Sequence, residues 1–198
     1  MKKASTAALN MLREQLQRLG PLPDADWELT APLWQQVEVG RKTVLTAAGD
    51  TERYLYFVVE GIQRIYYLKP DGREATLIFT YAPSFSGVFD SMLLQQPSRF
   101  SLETLTRSVL LRTHHLQWQQ LLRQSPAVDQ LAQQAIVRSM SGLMERMAEL
   151  QCFTAEEKFR TLLQRSPHVM QLSPHKYLAN YLGLDASTFS KLLGSVRL

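Results

Sequence analysis

The sequence predicts an α+β chain: an N-terminal antiparallel β-roll or jelly roll with flanking helices, then a long helix, then a C-terminal helix-turn-helix. Three observations carry this. Short β-prone runs fill residues 37–113, with Gly and Pro between them at intervals of roughly ten residues. A helical run without Pro follows, from Val128 to Gln151. Near the C-terminus, His175–Leu193 reads as two short helices hinged on Gly183.

Residues 5–20 place Leu9, Leu12, Leu16 and Leu19 on one helical stripe, which Gly20-Pro21 ends. Leu22-Pro23-Asp24 opens a shorter helix carrying Trp27, Leu29, Leu33 and Trp34. Such stripes are expected to be core. The predicted strands are 37–39, 43–45, 54–59, 63–68, 75–79, 101–105 and 109–113. Lys69-Pro70-Asp71-Gly72-Arg73 is a hairpin turn in which Gly72 supplies the left-handed position.

Helix returns at His115–Arg123 and, after Ser125-Pro126, in the long run. There Ile136, Met140, Leu143, Met147 and Leu150 form a 4–3–4–3 seam. The seam is expected to be a homodimer contact; the alternative is packing against the strands. Thr154-Ala155-Glu156-Glu157 is a capping box opening a new helix. The expected divisions are 1–125, a roll-shaped sensor; 126–151, a dimerisation helix; and 152–198, a helix-turn-helix domain.

In that last part, Ser173-Pro174 is expected to cap the first helix and Asp185 the second. Leu178, Ala179, Leu182, Leu184, Phe189, Leu192 and Leu193 supply the apolar face. Ala179 is small where a second helix must cross closely, and Gly183 tolerates a positive φ. This is the spacing of a DNA-binding helix-turn-helix; the alternative is a plain αα-hairpin.

Net charge is +4 and the sequence pI about 9.3, which permits an anionic partner without demanding one. Residues 152–198 carry six Lys/Arg against three Asp/Glu, a mild basic bias in the region expected to meet DNA. Cys152 is the single cysteine, which excludes an internal disulfide framework. No run of 18 apolar residues occurs and the N-terminus is too polar for a signal peptide, so a cytoplasmic protein without membrane partners is expected. No metal-ligand cluster, nucleophile elbow or phosphate loop appears, so an enzyme is not expected.

The order of strands, long helix and helix-turn-helix resembles the bacterial Crp/Fnr family of transcription regulators. Gly40, Gly49, Tyr54–Gly61 and Asp71-Gly72-Arg73-Glu74 follow its sensor pattern. Gln96–Leu105 is similar to its ligand-pocket segment, and Phe153–Phe159, Leu163–Pro167 and Tyr177–Lys191 to its DNA-binding part. The resemblance implies double-stranded DNA, a second copy and RNA polymerase as partners.

It also implies an effector pocket around Gly87, Val88, Phe89, Asp90, Ser98, Arg99, Phe100 and Ser101. Nucleotide-binding members hold a ribose hydroxyl with a Glu after the Gly, and a phosphate with an Arg before Ser or Thr. Here Val88 stands where that Glu belongs, and Ser98-Arg99-Phe100-Ser101 does not reproduce the Arg-Ser/Thr pair. Tight cyclic-AMP binding is therefore not expected, since each charged hydrogen bond contributes about 1.5–3 kcal/mol. A cyclic nucleotide or another small anion remains the class of effector implied. Arg99 would bind an anion if it points inward and be solvated if outward. Haem is found in some relatives, but His114 and His115 read as exposed surface histidines.

For DNA, the family's early Arg/Pro-Glu pair and later Arg match Ala186, Ser187 and Lys191. Ser187 discriminates bases less than Glu would, and Lys191 lacks the planar fork of Arg. Ser173, His175, Lys176, Thr188 and Ser190 are the expected phosphate contacts. Relatives continue into a β-hairpin wing; the sequence reaches only Leu198, and no wing is expected.

Overall fold

The computed structural model describes residues 2–195. Two antiparallel sheets form the roll. The first has strand order β1-β2-β9-β4-β7, from Lys2–Lys3, Gln35–Val39, Ser108–His114, Tyr54–Glu60 and Ser84–Ser86. The second has order β3-β8-β5-β6, from Val44–Thr46, Ser101–Thr104, Ile62–Leu68 and Glu74–Tyr81. The expected strands are all present. β1 and β7 are additions, each too short and polar to show a period of two.

β4 explains why its sequence reads as a continuous apolar run. Tyr56 and Val58 face the roll interior with Ile65, Val88, Leu102 and Leu110. Leu55 and Phe57 face the other way, into a core built with α1 (Thr6–Gln17), α4 (His115–Gln124) and the start of α5 (Pro126–Cys152). Alternate side chains of a strand point to opposite faces, so a strand covered on both sides is apolar throughout. α2 (Asp24–Thr30) completes the N-terminal cover, with Trp27 packed on this core. Trp34 meets Phe85 and Trp118 with ring centroids 6.3 and 6.1 Å away. The short α3 (Phe89–Leu94) follows β7.

Gly61 turns β4 into β5 at φ +94°, and a Cβ there would lie 2.7 Å from the Arg107 carbonyl oxygen. Only glycine fits that approach.

The C-terminal helices are α6 (Ala155–Arg165), α7 (Val169–Leu172), α8 (His175–Leu182) and α9 (Ala186–Ser195). The capping box at Thr154–Glu157 forms as expected. α7 was not anticipated, being a single turn. These helices share one core with the roll: Ile62, Leu105, Phe79 and Tyr81 pack with Phe159, Leu162, Leu178 and Phe189.

Polar contacts hold the two parts in register. The Asn180 side chain donates to the Glu74 carbonyl and accepts from the Thr76 amide, so it extends the edge of β6. Tyr81 and Ser166 hydroxyls share a hydrogen bond, and the Phe79 and Tyr181 rings lie 5.1 Å apart. At the end of α5, buried Arg146 and Glu149 pair at 2.8 Å. Arg165 joins Glu149, and Arg146 donates to the Tyr181 carbonyl. Among the described residues no helix is long and apolar enough to cross a membrane.

Two expectations need correction. His115 is buried, not a surface residue: it opens α4 beside the His114 ring, and its amide donates to the Arg53 carbonyl at 2.9 Å. Half-buried His114 caps α4 by accepting from the Leu116 amide at 3.3 Å. Ser173 does not cap α8: its hydroxyl is buried without a partner, and the helix begins at His175 with Pro174 as the flanking residue. The stretch beyond Ser195, on which the expectation about a wing falls, lies outside the described residues.

Candidate effector pocket and nucleic-acid interface

The roll pocket is set by the turn from β7 into α3. Gly87 adopts φ +143°, which lets the chain leave β7 and enter α3 at Phe89, with Val88 flanking the helix. Val88 is buried among the interior apolar residues, and Phe89 is half-buried. The Val88 amide donates to the Glu52 carboxylate at 3.4 Å. Glu52 is itself buried and also accepts from the Thr46 hydroxyl at 2.5 Å and the Tyr54 amide at 3.0 Å. Burial pushes its pKa up, with these hydrogen bonds opposing the rise. An anion approaching that amide meets a carboxyl group already in place. Sequence reasoning missed Glu52, because nothing local distinguishes it from a loop acid.

Of the remaining pocket residues, Asp90 and Arg99 are exposed, so neither charge enters the interior. Ser98 is buried but engaged with its own turn, donating to the Phe100 carbonyl and accepting from the Phe100 amide. Phe100 is half-buried against Tyr67, and the Ser101 hydroxyl accepts from the Ala48 amide. Of these eight residues, Val88 and Phe100 pack on the roll interior, while the charged Asp90 and Arg99 are exposed.

The helix-turn-helix forms around Gly183, which takes φ +67° at the end of α8. The Leu184 amide reaches back to the Ala179 carbonyl at 2.9 Å, closing the helix end. Leu178, Ala179, Leu182 and Phe189 are buried, and the Phe159 and Phe189 rings meet edge-on at 5.5 Å. Asp185 caps α9 as expected, accepting from the Thr188 amide at 2.8 Å. Its carboxyl is held well below the usual range, first by the Ser187 hydroxyl and then by Thr188.

Ala186, Ser187, Ser190 and Lys191 are exposed on α9, while Thr188 is half-buried. The Ser187 and Thr188 hydroxyls donate to Asp185, and the Ser190 hydroxyl donates to the Ala186 carbonyl. Their protons are thus engaged within their own helix. Lys191 makes no ion pair among the described residues, and Lys176 lies 4.6 Å over the Tyr177 ring with its ammonium exposed. His175 is exposed beside Phe189. Ser173, buried at 5% exposure, is the one expected contact set back from this surface.

On α5, Ile136, Met140, Leu143, Met147 and Leu150 are all exposed, as are Val137 and Met144. The seam is therefore a wider uncovered apolar stripe than the five residues alone describe.

Residues 36–125 match the cyclic nucleotide-binding domain. The transcriptional activatory protein AadR of Rhodopseudomonas palustris is 36% identical over 69 residues, which are 35% of this chain and 29% of that protein. The chain thus matches less than a third of that relative. FixK2 from Bradyrhizobium japonicum superposes with a TM-score of 0.71 at 17% identity, over 81% of this chain and 83% of that one. The c-di-GMP responsive global regulator CLP of Xanthomonas campestris gives 0.64 at 18%, over 87% and 90%. The catabolite activator protein of Thermus thermophilus gives 0.55 at 20%, over 89% and 87%. These structures share the fold.

Proposed function

We propose that this Crp/Fnr-like chain, with its cyclic nucleotide-binding domain, is a dimeric, sequence-specific DNA-binding transcription regulator of the cytoplasm. The observation that carries the reading is a pairing of two exposed features. One is the apolar stripe on α5, and the other is the α9 face bearing Ser187 and Lys191. A stripe left open on one copy is covered by the same stripe on a second. Dimerisation then presents two α9 helices to successive major grooves, which lie roughly 34 Å apart. RNA polymerase is a further partner that this role allows.

The roll controls the reader through the contacts of β6 and the end of α5 with α8. An effector acts only by favouring one arrangement over another. Exposed Asp90 and Arg99, apolar Val88 and the buried Glu52 carboxyl support a sensor that does not bind cyclic AMP tightly.

A second reading is a ligand-sensing or protein-interaction module whose helix-turn-helix is only a fold. The engagement of Ser187 and Ser190 with their own helix favours it. The double substitution Met140→Glu/Leu143→Glu separates the two. The first reading expects monomers in sedimentation and loss of DNA binding together, and DNA-independent partner capture by a dimer would support the second.

A further inference from the structure

The helix-turn-helix meets the roll along a sheet edge. β6 is the last strand of its sheet, so the backbone groups it turns away from β5 have no strand to pair with. Two of them, the Glu74 carbonyl and the Thr76 amide, are taken by one side chain of α8. The Asn180 amide nitrogen donates to the Glu74 carbonyl at 2.6 Å, and its side-chain oxygen accepts from the Thr76 amide. The acceptor and donor it meets lie two residues apart on the strand, so Asn180 engages the edge as a facing strand would.

Its neighbours on α8 make contacts of another kind. Tyr177, Asn180 and Tyr181 are three and four residues apart and share one helix face. The Tyr177 and Tyr66 rings both lie over the buried Arg64 guanidinium, and the Tyr181 ring lies 5.1 Å from that of Phe79. Ring contacts tolerate small slides, whereas a paired N–H and C=O do not. The next equivalent pair along a strand is two residues away, roughly 7 Å. A slide of α8 carries α9 with it, because Leu178, Leu182, Phe159 and Phe189 belong to one core.

We propose that Asn180 is a positioning residue for DNA recognition: by fixing α8 against β6, it sets the half-site separation that a dimer accepts. The proposal rests on the dimeric, DNA-binding reading above, and it adds a determinant of specificity that touches no base. A slide of roughly 7 Å equals about two base pairs, at about 3.4 Å of duplex each. Loss of the two hydrogen bonds therefore broadens the accepted separation on that scale.

The test uses the full chain and the inverted repeat it enriches from a random pool of double-stranded fragments. The repeat is remade with its half-sites one or two base pairs closer or further apart, and affinities are read by fluorescence anisotropy. The parent should lose at least about tenfold at a two-base-pair change, because engaging both half-sites depends on matched geometry. Asn180→Ala should lose less than about threefold over the same series, while its affinity for an isolated half-site equals the parent's. In that variant the Thr76 amide should also exchange faster with solvent. Tyr181→Leu, which weakens the packing and leaves both hydrogen bonds, should keep the parent's narrow profile. Asn180→Asp, which keeps the acceptor for Thr76 and loses the donor to Glu74, should fall between parent and Asn180→Ala, and it carries the comparison if the alanine variant does not fold. A profile in the Asn180 variants as narrow as the parent's would overturn the proposal and leave DNA binding standing. Equal broadening in Tyr181→Leu would overturn it too, since packing would then fix the seat. A parent chain that enriches no sequence would overturn the DNA-binding reading itself, and this proposal with it.

Discussion

The guanidinium of Arg64 lies 3.7 Å from the centroid of the Tyr177 ring, joining the outer face of the roll to the first helix of the helix-turn-helix. Arg64 is 3% exposed. Its nitrogens donate to Glu103 at 2.6 Å, Glu74 at 2.9 Å and the Thr76 hydroxyl at 3.1 Å. The ion-paired cation is thus capped by an aromatic face that belongs to the helix-turn-helix. Any movement of α8 away from β6 uncovers a buried charge.

This contact predicts coupling. Tyr177→Leu keeps most of the apolar volume and loses the ring face, while Arg64→Met leaves Glu103 without its buried partner. The arginine variant should lose about 3–5 kcal/mol in urea unfolding. The pair should be non-additive by about 0.5–2 kcal/mol in a double-mutant cycle. Additive effects would mean that the reader is not fastened through this residue.

Acid should loosen the same junction from the α5 side. Burial opposes ionisation of Glu149, but hydrogen bonds from Arg146 and then Arg165 outweigh it and lower its pKa. A carboxyl whose folded pKa lies below its unfolded value of about 4.3 adds stability above that pH. The stability is lost as pH falls through the folded value. In unfolding curves from pH 7 to pH 3, Glu149→Gln should be less stable than the parent at pH 7, and the gap should close toward pH 3. A gap independent of pH would show that the network is held by packing alone.

Glu52 carries the opposite sign. Its folded pKa is raised by burial, so the folded state holds more protons than the unfolded chain between the two values. Stability is gained as pH falls through the folded pKa and is lower once Glu52 ionises. Glu52→Gln should therefore have the higher Tm at pH 8, and its advantage should shrink toward pH 4. A lower Tm for the variant at pH 8 would indicate that the carboxylate is stabilised where it sits.

Much of this architecture is legible in the amino acids because it is written locally. Short β-prone runs between Gly and Pro mark the strands, Gly72 and Gly183 mark turns that need a left-handed residue, and Thr154–Glu157 announces a helix start. The stripe from Ile136 to Leu150 is readable from its spacing, and its residues are exposed on the single chain. What stayed hidden was the seat of the helix-turn-helix on the roll. Asn180 bonds to Glu74 and Thr76 from more than a hundred residues away, and Arg64 and Glu103 look like surface charges until Tyr177 covers them. Ser173 and His115 were misread for the same reason, since burial of a polar residue by a distant segment leaves no period in the sequence. In the sensor, the substitution of Val88 was visible, but the Glu52 carboxyl beneath its amide was not.

The role proposed for α9 is to read DNA. Its most direct test is selection of double-stranded fragments from a random pool by the full chain, repeated with Lys191→Ala. An inverted repeat with half-sites one helical turn, roughly 34 Å, apart should be enriched. Binding by the variant should be weaker, with the salt slope reduced by about one. A pool that gains no sequence through successive rounds, or enrichment identical for the parent and the Lys191→Ala variant, would contradict it.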